Sequence, residues 1–347
     1  MYNFRNITLS HITKIIEDFG EKKFRATQIN EWIWKKNISD FNQLSNIPEN
    51  LIKFLQSNYF LDNLKIDFHI SSKDRTTKCL FKTIDNLFLE GVLIPSDDRI
   101  TACISSQIGC ALNCDFCATG KLGFSRNLSI GEIYDEVFII NSLSISLFNK
   151  QLSNVVIMGM GEPLLNYENI LAAINIITSN IGMNMSPQRI TLSTAGIAPK
   201  IIQLADDNIK FNLSISLHSA DNIIRSKIMP INNKYYLQDL SDAISYFYKK
   251  TNIRITYEYL LLNNINNSID DAKKLAKFTK ISPCKINLIN YNSTEKSNYS
   301  KSEEEKTEKF KDFLESKNLI VTVRKSKGSD IAAACGQLIA QKNNLLI

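Results

Sequence analysis

Cys103-Ile-Ser-Ser-Gln-Ile-Gly-Cys110-Ala-Leu-Asn-Cys114-Asp-Phe-Cys117-Ala-Thr-Gly120-Lys-Leu-Gly-Phe124 holds three thiols, Cys110, Cys114 and Cys117, in a Cys-x-x-x-Cys-x-x-Cys spacing. An aromatic side chain, Phe116, precedes the last of them. Three soft thiolates on one short loop suit iron and can hold three irons of a cubane iron–sulfur cluster, leaving the fourth open to a small chelating ligand. Structural zinc is the rival reading, but it takes four ligands, commonly two Cys-x-x-Cys pairs, and the second pair is missing. A structural disulfide fits less well, because nothing near Met1 reads as a cleaved signal and the thiols are expected in a reducing cytoplasm.

Working outward, the bulk properties set bounds. The 347 residues allow one full domain and a smaller accessory. With 44% hydrophobic and 22% charged residues the composition is ordinary for a water-exposed globular chain, and no apolar run reaches the ~18–20 residues of a membrane span. The formal charge of +6 permits an RNA partner without demanding one. Only 7 Cys and 3 His are available to a metal site.

Ahead of the thiol loop, residues from Asn6 to Phe60 read as three helices. Ser10 is read as the first N-cap, Ile12, Ile15, Ile16 and Phe19 as one apolar stripe, and Gly20 as the stop. Ala26, Ile29, Ile33 and Trp34 mark the second helix, and Glu49 to Asn58 the third. Lys22, Lys23, Arg25, Lys35 and Lys36 gather near Trp32 and Trp34, either as a solvated face or as a platform for RNA phosphates and bases. From about Asp67 to Pro95 the pattern turns to alternation, and Cys79 to Ile94 around Asp85-Asn86 predicts a β-hairpin in a small antiparallel segment feeding the main domain. Glu90 lies in its second strand, to be either turned to solvent or held for a purpose.

Behind the loop, six strands alternate with helices: Thr101–Ser105, Asn154–Met158, Ile190–Thr194, Asn212–Leu217, Ile253–Leu260 and Lys285–Ile289. That pattern predicts an α/β fold with a parallel sheet, open or curled, whose chemistry sits at the carboxyl ends of the strands. Met158-Gly159-Met160-Gly161-Glu162-Pro163, Ser193-Thr194-Ala195-Gly196, Ser216-Leu217-His218-Ser219 and Asn290-Tyr291-Asn292 fall at those ends. Asn292–Glu305 is polar enough for a mobile loop, and His218 is read as lining a cofactor cleft rather than ligating iron.

These residues resemble a known family. The thiol triplet with Phe116 looks like the signature of the radical S-adenosylmethionine superfamily, and Met158 to Pro163 like its Gly-Glu motif. Cys103-Ile-Ser-Ser-Gln, Cys117-Ala-Thr-Gly120, Arg126-Asn127-Leu128, Ser216-Leu217-His218 and Ala334-Cys335-Gly336-Gln337-Leu338 resemble the bacterial RNA adenine C2-methyltransferases called RlmN, over essentially the whole chain. The resemblance implies a partial (β/α)6 barrel spanning 99–347, a helical RNA-binding accessory domain at 1–62 and a short β-hairpin extension at 63–98.

It also implies the chemistry. One 4Fe-4S cluster on Cys110, Cys114 and Cys117 binds S-adenosylmethionine at its open iron, and two molecules of that cofactor are consumed per turnover. Gly161, Glu162, Ser193, Ser216, Leu217, His218 and Asn292 match cofactor contacts. Cys335 matches the cysteine that is first methylated and whose methyl, after hydrogen abstraction by a 5'-deoxyadenosyl radical, adds to the adenine. Glu90 matches the base for the carbon 2 proton. Cys103 matches the thiol that releases the protein–RNA adduct, leaving a Cys103–Cys335 disulfide bond. Cys79 and Cys284 match no role and are read as strand core. Asn290 in place of a usual proline, and Gly91 after Glu90, depart from the family pattern.

The partners implied are 23S ribosomal RNA, a transfer RNA modified 3' of its anticodon, and an external one-electron donor such as flavodoxin, with a cytoplasmic monomer and no membrane. The rivals are the sister adenine C8-methyltransferase and, from another class, a non-catalytic RNA-binding protein with a structural metal.

Overall fold

The computed structural model describes residues 1–293 and 298–338. Its frame is one ten-stranded sheet: β1 (Lys65–Ser71), β2 (Thr77–Lys82), β3 (Phe88–Pro95), β4 (Ile100–Ile104), β5 (Asn154–Ile157), β6 (Ile190–Thr194), β7 (Asn212–Ser216), β8 (Ile255–Leu261), β9 (Cys284–Asn290) and β10 (Val321–Arg324). Each strand pairs with its neighbour in sequence. The first three pairings are antiparallel, and β4 to β10 run parallel.

All six strands expected from the alternation are present, and β10 adds a seventh parallel strand that four residues were too few to announce. The antiparallel segment expected over about Asp67 to Pro95 is present as β1, β2 and β3, and the register Val92↔Cys103 joins it to the parallel strands in one sheet.

The two edges of this sheet come together. Beyond β10, Gly328 N donates to Asp74 Oδ2 at 3.1 Å, and Ser72 Oγ donates to Asp330 Oδ1 at 2.6 Å. Asp74 and Ser72 form the β1–β2 turn at the opposite edge, and Gly328 is four residues past Arg324, a reach of at most about 14 Å. Edges that approach this closely without pairing make a partial barrel. The layer between the sheet and its helices is apolar, with Val155, Leu192, Leu213, Tyr257, Leu288 and Phe310 among the fully buried side chains.

The parallel strands alternate with helices Ile130–Phe148, Tyr167–Thr178, Ala198–Asp206, Leu237–Thr251, Ile269–Phe278 and Glu304–Glu315. Ser129 caps the first, with a reciprocal bond from Ser129 N to Glu132. Of the loop expected over Asn292–Glu305, positions 294–297 lie outside the described residues; Ser302 is buried and bonded by Asn267, and the helix starts at Glu304.

The N-terminal helices are Leu9–Asp18, Phe24–Trp34 and Glu49–Asn58. Thr8, not Ser10, caps the first, since its hydroxyl accepts from His11 N; the exposed Leu9 then occupies the first helical position. Buried Arg5 fixes this module to the barrel, both of its terminal nitrogens lying 2.8 Å from Asp135, while its guanidinium stacks over Trp34 at 4.8 Å. Trp34 is therefore core. Trp32 keeps partial exposure, with Lys36 Nζ over its ring at 3.3 Å and its indole N–H donating to Asn46.

Candidate active site

The thiol loop follows β4, and glycine backbone shapes it. Gly109 has φ +74 and packs against Gly123 so closely that a Cβ would lie 1.9 Å from the Gly123 carbonyl oxygen. Cys110 N donates to that same oxygen at 2.8 Å, and Cys117 N to Cys114 O at 3.1 Å. The turn brings Cys110, Cys114 and Cys117 to the wall of one cleft.

Burial pushes the Cys110 thiol up to about 11 and Cys114 well above its ordinary value, with the neighbouring thiols adding to the rise. Iron binding would have to displace those protons, as soft metals do. Three soft thiol donors on one wall suit iron, and a cubane takes each thiolate on a different iron, so the donor set fits a cluster.

The same cleft is lined by Gly161, Glu162, Ser193, Ser216, His218, Glu258, Tyr291, Arg324 and Cys335. Gly161 sits at φ +95, where a Cβ would meet the Gln107 side chain at 2.5 Å, so only glycine lets this loop lie against the strand. Buried Glu162 accepts from Leu164 N at 3.1 Å, Thr194 Oγ1 at 2.7 Å and Ala195 N at 2.8 Å. Burial raises its pKa against these three bonds. A carboxylate offers about four acceptor positions, which leaves room for one further donor such as an amine. The Ser193 and Ser216 hydroxyls stand 3.3 Å apart.

His218 is held at φ +55, and its Nδ1 accepts from Leu260 N at 3.0 Å. Burial lowers its pKa to about 3, so the ring is neutral and carries its proton on Nε2. Phe116 meets it edge-on at 4.9 Å, linking the aromatic of the thiol loop to the cleft wall.

Cys335 comes from the far end of the chain, in a turn rather than a helix. Ala118 N donates to Gly336 O at 2.8 Å, and Thr119 Oγ1 to Leu338 O at 2.7 Å, so its segment is bonded directly to the thiol loop. Cys103, on β4, is buried and close enough to Cys335 for that thiol to oppose its ionisation; burial is the larger cause of its raised pKa. All seven cysteines are free, so the expected Cys103–Cys335 disulfide is not formed here. Cys79 is buried in β2, and Cys284, which opens β9, is half-buried.

Glu90 is wholly buried, which resolves the choice left by the sequence: it is held, not solvated. Its Oε1 lies 3.3 Å from Lys78 Nζ, and its backbone carbonyl accepts from Ser105 Oγ at 2.7 Å. Glu90, Cys103, Leu217 and Asn292 are not among the residues lining the cleft. Leu217 points into the core, and its carbonyl accepts from Arg225 Nε, so only its backbone lies at the strand end. Asn292 is half-buried just past β9, where its neighbour Tyr291 takes the lining position.

Arg225 was not singled out in the sequence. Fully buried, it donates to Ala195 O at 2.6 Å, Leu217 O at 3.1 Å and Asn232 Oδ1 at 2.9 Å, knitting the ends of β6 and β7 behind Cys114. No short motif marks it, because its partners are carbonyls of other strands.

An open parallel barrel with a three-thiol loop after its first parallel strand and a Gly-Glu loop after its second defines the class. The radical SAM superfamily model matches residues 104–278, and the model described as the ribosomal RNA large subunit methyltransferase N-terminal domain matches residues 2–60. The chain belongs to the radical SAM superfamily and, within it, to the RlmN family of methyltransferases. It is 46% identical over 336 residues to the "Probable dual-specificity RNA methyltransferase RlmN" of Christiangramia forsetii, covering 97% of this chain and 96% of that protein. It is 40% identical to the "Dual-specificity RNA methyltransferase RlmN" of Nautilia profundicola, covering 98% and 99%. A solved radical SAM methyltransferase from Sphaerobacter thermophilus superposes with a TM-score of 0.92 at 34% identity, covering 98% of this chain and all of that one. Among the described residues, no helix is long and apolar enough to cross a membrane.

Proposed function

We propose that this enzyme methylates carbon 2 of one adenosine in 23S ribosomal RNA and of the adenosine 3' of the anticodon in transfer RNA, through a methylated Cys335. The observation that carries the reading is the bond between Ala118 N and Gly336 O, which seats the Cys335 thiol beside the three-thiol loop. Carbon 2 of adenine is neither acidic nor nucleophilic, so direct displacement on a methyl sulfonium cannot reach it, and a cofactor must supply radical chemistry.

Cys110, Cys114 and Cys117 would hold the 4Fe-4S cluster, and the Gly161–Glu162 loop with Ser193, Ser216 and His218 would hold S-adenosylmethionine; Leu217 would contribute backbone, and Asn292 would need to turn inward. When bound, the pair supplies a one-electron cleavage that activates the methyl carried by Cys335. The remaining steps belong to the protein. Cys335 accepts the methyl and later holds the RNA through a thioether. Glu90 takes the carbon 2 proton. Cys103 attacks the Cys335 sulfur, forming an S–S bond as the S–CH2 bond breaks and the freed carbon takes a proton. A turnover therefore uses two S-adenosylmethionine molecules and ends with a disulfide that must be reduced before the next.

The largely apolar cleft suits a base turned out of its stack, and the exposed Lys22, Lys23 and Lys35 suit RNA phosphates. Three spans are assigned on this reading: an RNA-binding module at 1–62, the hairpin at 63–98, which supplies Glu90, and the radical SAM unit at 99–347. The enzyme works as a cytoplasmic monomer with an external one-electron donor of the flavodoxin type.

The test is mass spectrometry of nucleosides from RNA incubated anaerobically with reconstituted enzyme, reductant and methyl-deuterated S-adenosylmethionine. The reading expects 2-methyladenosine carrying one deuterium fewer than a direct methyl transfer delivers. Formation of 8-methyladenosine would move the chain to the sister activity and remove the role of Glu90.

A further inference from the structure

Glu90 is buried to the last atom, and a carboxylate in that position needs a counter-charge to remain an anion. Lys78 supplies one. It is itself almost completely buried, with its ammonium 3.3 Å from Glu90 Oε1. The sheet register shows why the two meet. Lys78 pairs with Val92, and Val92 with Cys103, so these three lie on one rung across β2, β3 and β4. Glu90, two residues before Val92, pairs with Leu80 and lies on the same face. Lys78, Glu90 and Cys103 thus share one side of the sheet.

The third catalytic position reaches Lys78 from the other edge of the barrel. Lys78 Nζ donates to Ala332 O at 3.4 Å, three residues before Cys335. Ala332 has φ +50, a left-handed conformation that is unfavourable for a non-glycine residue and persists only where its surroundings hold it.

We propose that Lys78 is a positioning residue for the methyl transfer: one ammonium holds the Glu90 carboxyl group in place, and through Ala332 fixes the segment that carries Cys335. This rests on the reading of Glu90 as the base for adduct release. Lys78 is buried and is not among the residues lining the cleft. It registers the β3 carboxylate against the Cys335 segment, two parts of the site that no hydrogen bond within the thiol loop connects.

The experiment compares Lys78→Met, Lys78→Arg and Glu90→Gln full-length enzymes, reconstituted anaerobically and given RNA, with the protein–RNA adduct and the methylated RNA both measured. In Glu90→Gln the ratio of adduct to product rises by about tenfold or more, as loss of a general base requires. Lys78→Met raises the ratio likewise, and Lys78→Arg, which keeps the charge, returns most of the product. In cluster-free protein, Lys78→Met also speeds hydrogen exchange over residues 328–336 while leaving β3 and β4 protected.

If Glu90→Gln leaves the ratio unchanged, the base reading fails and takes this proposal with it. If Glu90→Gln raises the ratio and Lys78→Met behaves as wild type, the base reading stands and the role of Lys78 is overturned. If Lys78→Met accelerates exchange throughout β1 to β4, or Lys78→Arg restores nothing, Lys78 is a structural lysine and the proposal is likewise overturned.

Discussion

The carbonyl of Gly336 accepts the backbone N–H of Ala118 at 2.8 Å, joining the residue after Cys335 to the residue after Cys117. More than two hundred residues separate the two in sequence, yet each stands one peptide unit from a thiol of the same cleft. The geometry of that cleft, and of the elements that hold it, gives the following expectations.

Cys114 sits in the middle of the triplet, and Gly120 packs against its backbone. Cys114→Ala leaves two thiolates for a cluster that needs three. The variant purifies anaerobically without visible absorbance and with little iron or sulfide, while thermal unfolding stays close to wild type because no core side chain is lost. Full iron and sulfide in Cys114→Ala would remove it from the ligand set.

Gly161 holds φ +95 with no space for a Cβ beside Gln107. Gly161→Ala costs about 1–3 kcal/mol in local backbone strain, and the Gly-Glu loop shifts to relieve it. The measurement is equilibrium binding of S-adenosylmethionine to the reconstituted protein, with affinity falling as the loop moves. Wild-type affinity would mean that this loop does not contact the cofactor.

Arg5 and Asp135 form a pair with no side-chain exposure on either partner. Asp135→Leu strips the counter-charge from a buried guanidinium and destabilises the protein by about 3–5 kcal/mol, more than an apolar replacement of both partners would. Urea unfolding should show the N-terminal module separating first.

Asp62, beside Ser129 and Arg5, has its pKa raised from 3.8 to about 6, burial being the main cause. A carboxyl with a raised folded pKa binds its proton more readily folded than unfolded. Its contribution is therefore fully present below about 4 and is lost as pH rises through about 6. Asp62→Asn stays neutral throughout, so its melting temperature should gain on wild type between pH 5 and pH 7 by scanning calorimetry. A constant difference across that range would show that Asp62 does not titrate there.

How much of this was legible in the sequence depends on distance along the chain. The thiol triplet, the Gly-Glu loop and the six alternating strands are local patterns, and each lies where its spacing put it. Glu90 could not be resolved locally, because its partner Lys78 is set by strand register and not by spacing. Arg225 escaped for the same reason, its partners being carbonyls on other strands. Thr8 displaced Ser10 as the cap because one exposed leucine opens the helix, a detail that apolar periodicity does not carry. Trp34 looked available beside its lysines, but Arg5 and Tyr134, distant in sequence, enclose it. Cys335 was legible only through resemblance: an alanine-rich tail has no intrinsic signal, and its function comes from bonds to Ala118, Thr119 and Lys78.

The central claim is that Cys335 carries the RNA and Cys103 releases it. Intact-protein mass spectrometry of Cys103→Ala, after anaerobic turnover on RNA and nuclease digestion, tests it most directly. The account expects an adenosine-containing adduct on Cys335, with the cluster retained and little free methylated RNA. Wild-type yields of free 2-methyladenosine with unmodified Cys335 would contradict it.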